Sequence, residues 1–352
     1  MNQLIGLIVL FSTSAAFAQT RTHDRDLSHP VEIRELTSGN LIKPDRVEDG
    51  RTINGLSVQF VRMVKGVETP VEGLTFGAYR SDENGFIADS RCRAPTFSAS
   101  STLQSTRFNV GNGTSEYQLF ISVKCGVQQK VVFDETSDAA QPIAIWQVAT
   151  RAEKKLAKNV NMKFWSKQIS FIWPADGDYY NGNRVHLTVG HQWDVVGHEM
   201  GHAIYDQANL GVFGGGEHYI DRCYGVAIAL SEGWASFFSA WVSLDLADPD
   251  AHFEYMVPRR APLGVENVPA DVCAGPTNEW RVFAFLWDLI DTHDDGETMS
   301  EPFSKLWNDT LGARASSLEN MKQRLIEKGW NADSVQTIWK LNFLGESATL
   351  TR

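Results

Sequence analysis

The chain has 352 residues, with 32 Lys+Arg against 43 Asp+Glu, a formal charge of −11, 43% hydrophobic residues and four cysteines. That apolar share excludes wholesale disorder and provides material for one large or two ordinary globular domains. The acidic balance, with no run of Lys or Arg, repels a phosphate backbone, so nucleic-acid binding is not expected.

Residues 1–18 read as a secretory signal peptide. An apolar stretch from Leu4 to Phe11 leads into small residues and Ala16-Phe17-Ala18, the spacing a signal peptidase recognises. About eight apolar residues cannot cross a bilayer, which takes ~20. The expectation is a secreted or periplasmic protein with no membrane insertion after cleavage, in a compartment where disulfides persist. Residues 19–54 form a polar leader, either an ordered edge or a loose segment. Residues 55–135 consist of short alternating runs such as Leu56–Val61 and Tyr117–Val123, separated by turn chemistry such as Asp82-Glu83-Asn84-Gly85. This predicts an antiparallel β-sandwich and resembles the immunoglobulin-like or transthyretin-like modules attached to secreted enzymes.

An acidic stretch ending at Pro142 marks a linker, and residues 136–352 change to helical periodicity. Helices are expected near 143–158, 192–208, 226–247, 278–291, 302–311, 316–328 and 332–342, with strands near 169–173 and 184–189. The fold class is therefore α+β, a β-sandwich followed by a mainly helical domain. Cys92 and Cys125 lie in the β-rich part and Cys223 and Cys273 in the helical part, so pairing within each part requires no bridge between them. No Cys-x-x-Cys spacing favours a four-cysteine zinc site.

The segment that carries chemistry is His198-Glu199-Met200-Gly201-His202. Residues four apart on a helix lie about 6 Å apart along its axis on one face, so His198 and His202 aim two imidazoles at one ion. Glu199, rotated about 100° from His198, is placed to take a proton from a zinc-activated water. Trp193, Val196, Met200 and Ala203 supply a buried face for that helix, and Gly201 lets it pack closely. A catalytic zinc needs a third protein ligand. Asp206 lies about 12 Å along the axis from His198 and cannot complete the set on a straight helix. Downstream, Glu232 sits in an otherwise apolar helix, Ala229 to Phe238, where an unpaired charge would cost several kcal/mol. Coordination removes that penalty.

On the two segments His198–His202 and Ser231-Glu232-Gly233-Trp234-Ala235, the chain resembles the gluzincin metallopeptidases, the thermolysin-like and aminopeptidase-N-like group, across roughly residues 165–290. The resemblance implies a zincin-like catalytic domain in which Zn2+ is held by His198, His202 and Glu232, with Glu199 as general base. Glu217 and Glu279 are alternative ligands outside the matching motif. Asp206 occupies the position from which a carboxylate orients a ligand imidazole. Tyr219, Tyr224, His218 and Arg281 are candidate donors to the carbonyl oxygen in the transition state. Glu279 and Arg281 also resemble the charged pairs that relatives place behind the zinc helix, with a buried structural salt bridge as the alternative.

The expected function is a secreted zinc-dependent metallopeptidase, an endopeptidase if the strand near residues 184–189 pairs with an extended protein or peptide substrate. The alternatives are a secreted binding or adhesion protein with a structural or inactive zinc site, and a zinc amidase acting on cell-wall or glycan-linked peptides. Whether residues 19 to about 135 serve as a propeptide or a permanent accessory domain is left open.

Overall fold

The structure, a computed structural model, describes residues 21–22, 39–294, 296 and 299–343; the expected signal peptide lies outside them. The fold is α+β, with its strands in several open sheets and seven α-helices among the described residues. No helix among the described residues is long and apolar enough to cross a membrane.

Alternation in the sequence becomes strands with one buried face. Gln118–Lys124 buries Leu119, Ile121 and Val123 and exposes the residues between them. It pairs antiparallel with Thr96–Thr102 and parallel with Leu41–Ile42. The larger sheet runs in the order Arg46–Thr52, Val127–Phe133, Leu56–Val64, Val67–Pro70, with Phe86–Asp89 also bonded to Leu56–Val64. The purely antiparallel expectation is corrected at the centre of this sheet, where Val127–Phe133 runs parallel to Leu56–Val64. Both strands bury consecutive residues, Phe60 with Val61 and Val131 through Phe133, so neither keeps a solvent face, as suits parallel pairing. From the leader, Arg46–Thr52 is exposed throughout and closes one edge with charged side chains.

A third sheet draws on both sides of the expected linker, in the order Phe108–Gly111, Ile169–Ile172, Arg184–His186, Tyr179–Asn181. Arg184–His186 is paired on both sides, so it is not the edge expected there, and Tyr179–Asn181 stands last in the sheet. Helix α1 (Ala140–Asn159) packs on this sheet through Trp146, whose ring meets that of Phe108.

The remaining helices are α2 (Trp193–Ala208), α3 (Val226–Ser243), α4 (Glu279–Asp288), α5 (Phe303–Thr310), α6 (Leu318–Glu327) and α7 (Ala332–Phe343). Helix α3 stops short of residue 247 because Leu244 is extended and the Asp245 carboxylate instead accepts the Ala247 N–H in a turn. Every residue of α3 from Ala229 to Val242 is buried. It lies between α2 and α4, and Gly233 sets the second contact: a Cβ there would come within 2.5 Å of Val282 Cγ1 and 2.8 Å of the Glu279 carbonyl oxygen. Disulfides join Cys92 to Cys125 and Cys223 to Cys273, with Cα separations of 5.8 and 5.7 Å.

Candidate metal centre

A helix buried all round has to satisfy each polar side chain it carries. On α3, Glu232, Ser236 and Ser239 recur at intervals of four and three, which aligns them in one stripe facing α2. Ser239 Oγ donates to the Asp194 carbonyl oxygen at 2.8 Å and Ser236 Oγ meets His198 Nδ1 at 3.1 Å. Ser236 was not singled out in the sequence, although its spacing of four from Glu232 is a usable signal.

Helix α2 answers with His198 and His202, both buried. Glu232 Oε2 lies 3.1 Å from His198 Nε2 and 3.0 Å from His202 Nε2, and the two Nε2 atoms are 3.1 Å apart. The tautomer that donates His198 Nδ1–H to Ser236 Oγ is the ligand form, with a lone pair on Nε2, and in it His198 Nε2, His202 Nε2 and Glu232 Oε2 bring potential acceptors from three side chains into one small triangle. One proton cannot satisfy all three. Glu232 Oε1 and His202 Nδ1 are also buried, with no hydrogen-bond partner among the described residues. The triangle is close to one face of a tetrahedron around an ion with bonds of 2.0–2.1 Å, whose edge is about 3.3 Å. Two imidazoles and a carboxylate thus fit a zinc ion by donor type and by spacing.

The electrostatics agree. Burial pushes the His198 imidazole down to about 4, so it is neutral near pH 7, as a ligand must be. Burial works against the Glu232 carboxylate, but His202, His218 and His198 outweigh it and hold the group well below the ordinary range. Glu199, next to His198 on α2, is buried to 1% exposure.

The other sequence candidates separate. His218 joins the cluster, with Nε2 3.5 Å from Glu232 Oε2 and 3.4 Å from Glu279 Oε2, and its ring meets that of Tyr224 edge to face. Tyr224 OH accepts the backbone N–H of Tyr219, which lies on the surface under the Arg222 guanidinium. Glu217 is exposed. Asp206 does not orient a ligand imidazole: one turn past His202, its Oδ2 accepts from Tyr180 OH at 2.7 Å. Arg281 is a structural clamp rather than an oxygen donor at the centre. Its guanidinium donates to the carbonyl oxygens of Cys273, Asn342 and Val272 at 2.9, 2.8 and 3.1 Å.

A second residue missed in the sequence is Asp194, fully buried in the first turn of α2. Its Oδ2 accepts the N–H groups of Glu254, Tyr255 and Met256 at 2.8, 2.7 and 3.0 Å, which fixes that loop against the metal helix.

Comparison with known protein families matches residues 145–324 to the Mycolysin C-terminal domain, a span that contains the whole centre. No curated protein matches the chain.

Proposed function

The chain belongs to the Mycolysin C-terminal domain family, a family of zinc metallopeptidases, and from that premise we propose that it is a secreted gluzincin-type endopeptidase acting on protein or peptide substrates. The observation that carries this reading is the convergence of His198 Nε2, His202 Nε2 and Glu232 Oε2 at separations of 3.0–3.1 Å. These three residues would hold the ion. Bound there, zinc would supply Lewis acidity, lowering the pKa of a water toward ~7 and polarising the scissile carbonyl.

The protein's own groups carry the protons. Glu199 accepts a proton from the attacking water as the new C–O bond forms, then delivers it to the amide nitrogen as the C–N bond breaks. Ser236 holds the His198 ring through Nδ1, which keeps Nε2 aimed at the ion site. Of the residues considered as donors to the carbonyl oxygen, Arg281 is committed to backbone carbonyls and His218 faces carboxylates. Tyr219 and Tyr224 remain for that role. Tyr179–Asn181 stands last in its sheet, the place at which an extended peptide would add to the sheet, and this supports cleavage within chains. The apolar Leu4–Phe11 stretch and the Ala16-Phe17-Ala18 site support export.

The test is cleavage of an unfolded protein by the exported chain, with and without a chelator, beside Glu199→Gln. Chelation should abolish cleavage and added zinc should restore it, while Glu199→Gln should lower the rate by about 10²–10⁴-fold. Cleavage indifferent to both treatments would remove the proposal.

A further inference from the structure

The centre has a second set of ligand atoms, sharing Glu232 with the first. His218, Glu232 and Glu279 each bring one such atom to within 4.8 Å of the other two. They are exposed by only 2%, 0% and 5%. His218 comes from the loop between α2 and α3, Glu232 from the middle of α3 and Glu279 from the first turn of α4, so three separate elements converge.

The imidazole is already oriented as a ligand. His218 Nδ1 lies 2.9 Å from the Gly216 carbonyl oxygen, so its Nδ1–H is donated there, and in the neutral ring Nε2 is the ligand atom. A backbone carbonyl on the remote ring nitrogen is the usual support for a metal-bound histidine. That Nε2 is 3.4 Å from Glu279 Oε2 and 3.5 Å from Glu232 Oε2. Both separations exceed the usual N–H···O length of about 2.9–3.0 Å. They match the ~3.3 Å edge between donors of a tetrahedral ion with bonds of 2.0–2.1 Å. The Glu232 Oε2 atom that His218 faces is the one that also faces His198 and His202, and Glu232 Oε1 is buried with no hydrogen-bond partner among the described residues, so the carboxylate has a second acceptor beside the shared one.

We propose that His218, Glu232 and Glu279 form a second divalent-cation site, with the Glu232 carboxylate bridging it to the ion on His198 and His202. One imidazole with two carboxylates suits zinc and related first-row divalent ions. The inference rests on the single-ion reading above through Glu232.

The experiment counts ions. The metal-stripped full chain is dialysed against Zn2+ alone, and intact-complex mass spectrometry reads the bound metal. Two ions are expected for the unaltered chain and one each for Glu279→Gln and His218→Asn. A single ion in the unaltered chain overturns the second site, as do two ions retained in both variants. X-ray absorption on the zinc-loaded unaltered chain needs no variant to fold, and metal–metal scattering at about 3.5–4 Å is expected, its absence being contrary. His198→Ala separates the two failures. One ion that disappears in this variant leaves the peptidase reading standing without the second site, whereas an unaltered chain that takes up no ion removes both.

Discussion

Gly201 on α2 lies directly against Ala235 on α3: a Cβ on Gly201 would stand 2.8 Å from Ala235 Cα and 2.9 Å from its carbonyl oxygen. The obstacle is backbone, which cannot rotate aside, so a side chain at this position must push the two helices apart. The same approach brings His202 Nε2 to 3.0 Å from Glu232 Oε2. Gly201→Ala should therefore cost about 1–3 kcal/mol of stability by overpacking and weaken zinc binding with it. Urea denaturation and a competitive zinc titration measure the two effects. Unchanged zinc affinity would mean that helix spacing does not set the ligand geometry.

Among the described residues, Ser236 is the hydrogen-bond partner of His198 Nδ1, at 3.1 Å. Removing such a support for a ligand imidazole weakens metal binding by about 10–100-fold. Ser236→Ala should show that loss, while the fold gives up about 1–3 kcal/mol for the buried ring nitrogen left without its partner. A zinc affinity equal to that of the unaltered chain would assign the ring's orientation to packing instead.

The helices were readable because their buried positions recur at the helical period, and His198 and His202 because a spacing of four places both on one face. Glu232 stood out as a carboxylate within an apolar segment. What escaped depends on partners far away in the chain. Nothing local in Val127–Phe133 says that it lies parallel to Leu56–Val64, since that pairing follows from which faces the whole core buries. Asp206 and Arg281 carry chemistry-bearing groups, but their use is set by Tyr180 and by the carbonyls of Val272, Cys273 and Asn342. Ser236 escaped for a different reason: a small hydroxyl in an apolar helix looks like filler until the opposing histidine is known.

Arg281→Ala distinguishes a clamp from a catalytic donor. The guanidinium joins the start of α4 to the Val272–Cys273 segment and to the end of α7. Its removal leaves two buried carbonyls and a partly buried one to find new partners, at a cost of about 2–3 kcal/mol or more. Thermal denaturation should show the loss, and the cleavage rate per folded molecule should change little. A full-stability variant with a rate reduced 100-fold would return Arg281 to the chemistry.

The pH dependence can be read at Asp221, which sits beside the Cys223–Cys273 bridge with its carbonyl accepting the Cys273 N–H at 3.0 Å. Its carboxylate takes two bonds from Arg259, at 2.6 and 2.9 Å, and one from Arg260 at 3.0 Å. Bonding to Arg259 first, then to Arg260, brings its pKa down from 3.8 to about 2. The folded value lies below the unfolded one, so the unfolded chain binds the proton more tightly between them. The stabilisation is therefore complete above pH 3.8 and is lost as the pH falls toward 2. Its size is about 2 kcal/mol at most, from 1.36 kcal/mol per pH unit. Asp221→Asn should be less stable than the unaltered chain by up to that amount at pH 6 in urea denaturation, with the gap narrowing by pH 3. A gap that stays constant across this interval would mean that the two arginines hold the loop through hydrogen bonds that the asparagine preserves or through contacts independent of the carboxylate's charge, and the ion-pair account of this loop would fail.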